Sequence, residues 1–133
     1  IRTGSSSSSP QNLTDINGTL FFSANNGTNG YELCKSDGTS AGTIMVKDIR
    51  TGSSSSSPTY FADINGTLFF IAQDATNGQE LWKSDGTSAG TTLVKDIYPG
   101  SNDSWPQNLT DVNGTLFFSA QDSEGQELWK FDP

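Results

Sequence analysis

The chain has 133 residues, with 7 Lys and Arg against 15 Asp and Glu, a net charge of −8 and no histidine. The basic residues are scattered singly, so nothing in the sequence could neutralise a run of phosphates or seat the chain on an anionic membrane surface, and no apolar run approaches the roughly 20 residues needed to span a bilayer. Hydrophobic residues make up only 32%, yet they arrive in regular clusters that include eight Phe and three Trp, which argues for a folded chain rather than a disordered one.

The sequence is a tandem array. Residues 1–48 and 49–96 agree at 36 of 48 positions when laid one under the other, and residues 97–133 restart the unit and stop after 37. A period of this length, with short apolar runs between turn signals, is the signature of a β-propeller, whose small sheets bury their faces only against neighbouring sheets. Residues 1–48, 49–96 and 97–133 are therefore expected to be units of an all-β chain built from four-stranded antiparallel blades of about 48 residues.

The second unit shows the elements most clearly. Thr51-Gly52 through Pro58 is a serine-rich connection, too polar and too short in side chain to pack a core. Thr59 to Ile64 is a strand, Asn65-Gly66 a two-residue turn, and Thr67 to Ala72 a second strand. Asn-Gly between β-rich runs is the strongest local hairpin signal, because both residues tolerate the positive φ of a type I′ turn. Asn17-Gly18 and Asn113-Gly114 recur at the same place. After a polar tip at 74–78, Gln79 to Lys83 is a third strand. Ser84 to Gly90 is turn-rich, and Thr91 to Asp96 is a fourth, outermost strand whose Lys47-Asp48 and Lys95-Asp96 pairs read as charges guarding an exposed edge.

The second strand carries the burial argument. Leu20 and Phe22 point to one side and Phe21 to the other, as do Leu68 and Phe70 against Phe69 and Ile71. A sheet with one wet face would alternate apolar and polar residues; this one must be covered on both faces. The third unit lacks the fourth strand, and a propeller needs about four to eight blades to close. The expected partners are either further repeats of a longer chain or a second copy in a homo-oligomer, two copies giving six units.

The strings Glu80-Leu81-Trp82-Lys83-Ser84-Asp85-Gly86-Thr87 and Glu32-Leu33-Cys34-Lys35-Ser36-Asp37-Gly38-Thr39 resemble the ELWxxDGT repeat of large bacterial secreted or surface proteins. Glu127-Leu128-Trp129-Lys130 continues instead into Phe131-Asp132-Pro133, a departure expected of a boundary unit. The resemblance spans all three units and implies an extracellular or cell-surface location and a propeller-like fold, with no defined activity attached. The Ser-Asp-Gly-Thr turn is also similar to the Asp-box of sialidase-type propellers, a structural turn.

Catalysis is not expected. The acids Asp15, Asp37 and Asp48 recur with the scaffold, whereas a catalytic carboxylate pair needs one special environment, and without histidine the commonest general base is missing. No cofactor is implied. Calcium is the one metal with suitable hard oxygen donors, at Asp37 and Asp85, but capping of their own turns is the favoured reading. A multivalent carbohydrate-binding propeller is the alternative to a structural or interaction module, with Trp82, Trp105 and Trp129 as the available aromatic platforms; for Trp82 and Trp129 a packed wedge between units is favoured. Cys34 stands where the other units have Trp and reads as a packed residue.

Overall fold

The computed structural model describes residues 6–133; the expected start of the first unit, residues 1–5, lies outside them. The chain is all-β. Among the described residues eleven strands form three antiparallel sheets, each ordered as the strands occur in sequence. The first holds β1 (Gln11–Ile16), β2 (Thr19–Asn25), β3 (Tyr31–Ser36) and β4 (Ile44–Lys47). The second holds β5 (Thr59–Ile64), β6 (Thr67–Ala72), β7 (Glu80–Ser84) and β8 (Thr92–Lys95), and the third holds β9 (Gln107–Val112), β10 (Thr115–Asp122) and β11 (Gly125–Phe131).

The hairpins form where the Asn-Gly pairs place them. Asn17, Asn65 and Asn113 have φ of 51°, 52° and 53°, and the glycines after them are also positive, as a type I′ turn demands. The aspartate two residues before each asparagine fixes the turn: Asp15, Asp63 and Asp111 accept the N–H of Gly18, Gly66 and Gly114 at 2.9, 2.8 and 2.7 Å. A bulge interrupts each first strand. Asn12, Tyr60 and Asn108 take positive φ there, and the pairing with the second strand shifts register beside them.

Packing follows the two-faced character of the second strands. One cluster joins Ile16, Phe21, Leu33 and Val46 of the first unit to Ile49, Leu68, Phe70, Ala72 and Trp82 of the second. The next joins Ile64, Phe69 and Leu81 of the second unit to Ile97, Leu116, Phe118 and Ala120 of the third. The middle sheet is thus sandwiched, and Leu68, Phe69 and Phe70 are fully buried. At about 25 cal/mol per Å² each such side chain contributes roughly 1.5–3 kcal/mol, all of it dependent on the neighbouring sheet. The first strands lie side by side, with β5 next to both β1 and β9.

Two features differ from the sequence reading. The serine-rich connection is not wholly a solvated loop, because Ser56 and Ser104 are fully buried and Pro58 and Pro106 are buried beside them. The lysines of the fourth strands also do more than guard an edge. Lys47 donates to the Thr91 carbonyl of the next unit at 2.7 Å, and the Lys95 ammonium lies 4.6 Å from the ring centre of Trp129. Both reach across a junction between sheets.

Candidate functional site

Three sets of residues are candidates for chemistry: a buried glutamate and an aspartate turn, each repeated in the first two units, and the tryptophans. The best buried was not singled out from sequence. Glu32, at the second position of β3, is 1% exposed, and its carboxylate accepts the Ile49 N–H at 2.9 Å, the Ser56 N–H at 2.8 Å and the Ser56 hydroxyl at 2.6 Å. Glu80 repeats the arrangement with Ile97 (2.9 Å) and Ser104 (3.1 and 2.6 Å). Each carboxylate therefore holds both ends of the segment leading to the next sheet. Desolvation pushes the Glu32 carboxyl up to about 7 against the pull of its three donors, with the nearby Asp48 charge adding to the rise. Glu80 is raised for the same leading reason. Glu127, the third counterpart, is exposed. The available signal was an acid recurring directly before Leu33 and Leu81 near the start of the third strand, a position where a buried acid is found only when paired.

The second constellation is the Ser-Asp-Gly-Thr turn. Asp37 Oδ1 accepts from the Thr39 N–H at 2.9 Å and the Thr39 hydroxyl at 2.7 Å, and Asp85 does the same with Thr87 at 2.8 and 2.7 Å. The Thr39 and Thr87 hydroxyls in turn accept from Gly42 and Gly90 at 2.9 Å. Gly42 and Gly90 lie so close against the carboxylates that a Cβ at either position would overlap the aspartate. These donors hold both carboxyls below the ordinary aspartate range, with the threonine hydroxyl as the largest cause. The turn is fastened by its own side chains. Among the described residues no group of three or more Cys, Asp or Glu side chains is placed to hold a metal ion.

The third constellation is aromatic, and its members are apart. Trp82 is 5% exposed in the cluster between the first and second sheets. Trp129 packs between the second and third, donating its indole N–H to the Ala120 carbonyl at 3.2 Å. Trp105, in the connection before β9, is 49% exposed with φ of 46°. Of the three it alone is exposed. Cys34 is 2% exposed, and burial pushes its thiol up to about 11.

A cleft of about 160 Å³ opens at the junction of the first two units, lined by Asn17, Lys35, Asp85 and Gly86 among others. The Lys35 ammonium that lines it donates to the Gly86 carbonyl at 2.8 Å, so the cation is already engaged in joining the sheets. No family model, curated protein or solved structure matches the chain.

Proposed function

We propose that this chain is a non-catalytic structural or interaction module of a secreted or cell-surface repeat protein, a propeller-type scaffold that displays polar loops from stacked sheets. The observation that carries the reading is the use made of the recurrent polar residues: Glu32, Glu80, Asp37, Asp85, Lys35 and Lys47 all satisfy backbone groups of their own turn or of the adjoining unit. Chemistry that recurs with the repeat and is spent on backbone belongs to the scaffold. The resemblance to the ELWxxDGT repeat supports the same reading and supplies the extracellular or surface location. In this reading the sheets are blades around a common axis, with β1, β5 and β9 innermost.

The test is the isolated second unit. A peptide of residues 49–96 leaves both apolar faces of β6 uncovered and is expected to be unfolded by circular dichroism, while the 133-residue chain gives a cooperative melt. A cooperatively folded 49–96 peptide refutes the stacked scaffold. Exposure of Trp105 favours one second reading, a carbohydrate-binding module, because an open indole face stacks on a sugar ring. It predicts saturable glycan-array binding that Trp105→Ala abolishes. A calcium-stabilised scaffold predicts a melting temperature raised by calcium and lowered by chelator, and Asp85→Asn would remove the difference.

A further inference from the structure

The junction between the first and second units and that between the second and third are built alike. Each has a receiving face, on the preceding unit, and an inserting face, on the following one. The receiving residues are Ile16, Phe21 and Leu33 in the first unit and Ile64, Phe69 and Leu81 in the second. The inserting residues are Phe61, Leu68, Phe70 and Trp82 in the second unit and Leu109, Leu116, Phe118 and Trp129 in the third.

The corresponding faces at the two ends of the stack meet no further unit among the described residues, and the receiving face of the third unit lacks the fourth strand that adds Val46 and Val94 to the other two. The counterparts of the receiving residues in the third unit are Val112, Phe117 and Leu128; Val112 is 47% and Leu128 75% exposed, where their equivalents are 0–4%. The inserting face of the first unit comprises Leu13, Leu20, Phe22 and Cys34. The last three, with Met45, form a cluster of their own, and Leu13 is 60% exposed. That face carries an apolar groove of about 210 Å³ lined by Leu13, Leu20 and Phe22.

Two glycine positions report the same thing independently of hydrophobicity. A Cβ on Gly66 would lie 2.5 Å from the Asn17 amide nitrogen, and one on Gly114 2.6 Å from that of Asn65, so each hairpin turn is capped by the asparagine of the unit before it. Gly18, at the same position in the first unit, has nothing within 4 Å. Gly86 meets Phe21 and Lys35 of the preceding unit; its counterpart Gly38 again has nothing within 4 Å.

We infer that a second copy of this chain occupies these faces head to tail. Phe117 and Leu128 of one copy receive Leu13 and Phe22 of the next, Asn113 caps Gly18, and the Lys130 ammonium, 3.1 Å from the Asp132 carboxylate in the single chain, turns to the Gly38 carbonyl as Lys35 takes Gly86. The joint is heterologous, the same surface never meeting itself, and two copies make two such joints and close the stack with six units. The receiving and inserting faces already fit each other twice within the chain, so a second copy supplies the matching face at each end, the same face that a further repeat of a longer chain would present. The inference rests on the stacked-scaffold reading above.

The test is mass in solution by light scattering, with one variant per face. Wild type is expected at twice the chain mass of 14.2 kDa at high micromolar concentration. Leu13→Arg and Leu128→Arg are both at exposed positions, so folding is retained, and each alone is expected to be monomeric. Mixed in equal amounts they restore one of the two joints and set the two arginines against each other in the second, so pairing is expected to be weaker than that of wild type. A monomeric wild type, or a Leu13→Arg or Leu128→Arg variant that dimerises as wild type does, overturns the head-to-tail copy. The underlying reading fails separately: a Phe70→Ala variant that melts at the wild-type temperature removes the stacked sheets themselves, whereas a monomeric wild type with a strongly lowered Phe70→Ala melt removes only the second copy.

Discussion

Replacing Glu32 with glutamine separates the charge of the clamp from its shape. In the folded chain the carboxyl is raised from 4.5 to about 7, chiefly by desolvation. Between those values the native state holds a proton that the unfolded chain has released, so stability falls as pH rises through that window. It is fully present below about 4.5 and level above about 7. At about 1.36 kcal/mol per pH unit the change is on the order of 3 kcal/mol. The protonated acid has a ready geometry, because the Ser56 hydroxyl lies 3.4 Å from the Tyr31 carbonyl and can turn toward it while accepting from the acid. Glutamine does not titrate, and its amide nitrogen must face either the Ile49 or the Ser56 N–H, costing about 1–3 kcal/mol. Glu32→Gln is therefore expected to be less stable than wild type near pH 5, with the gap closing or reversing toward pH 8. Urea unfolding followed by circular dichroism across that range, with a constant m-value, reads the difference directly. Parallel pH dependence in variant and wild type would refute the reasoning.

Other expectations are simpler. Gly90→Ala drives a methyl into the Asp85 carboxylate and should cost about 2 kcal/mol in chemical denaturation; an unchanged midpoint would show that the turn relaxes freely. Phe70→Ala, at a fully buried position between two sheets, should cost about 3–5 kcal/mol. Tyr60 is 58% exposed with φ of 54°, at the bulge where the other units place Asn12 and Asn108, so Tyr60→Asn should stabilise the chain by about 1 kcal/mol, read as a raised melting temperature. Cys34, buried with its thiol raised to about 11, should resist maleimide or iodoacetamide near pH 8 until urea unfolds the chain; prompt labelling of native protein would contradict its burial.

What was legible in the sequence was what depends on neighbours along the chain. Asn65-Gly66 specifies a turn from two residues, and Phe69 beside Phe70 declares a strand covered on both sides, because side-chain direction alternates with each residue. The Asp85 turn was equally readable, since its partners Thr87 and Gly90 lie within five residues. Groups that act across a junction were not. Glu32 reaches residues 17 and 24 positions on, Lys47 reaches Thr91, and Lys35 reaches Gly86. Composition gave Lys47 the character of a solvated edge charge, and only the placement of the next sheet turns it into a brace. Ser56 was hidden for a related reason: within a run of five serines, nothing local distinguishes the one whose hydroxyl meets a buried carboxylate from those left in water.

The asymmetry of the joint bears on how such arrays lengthen. Any 48-residue stretch taken in phase carries one half of a junction on each side, so duplicating it anywhere inserts a unit that already fits both flanks. Copy number can thus drift by unequal recombination with no change to packing, whereas a lone substitution at a contact residue must be answered in the adjoining copy. Cys34 in place of tryptophan sits on a flank that no adjoining unit among the described residues covers, where such a mismatch goes unopposed from within.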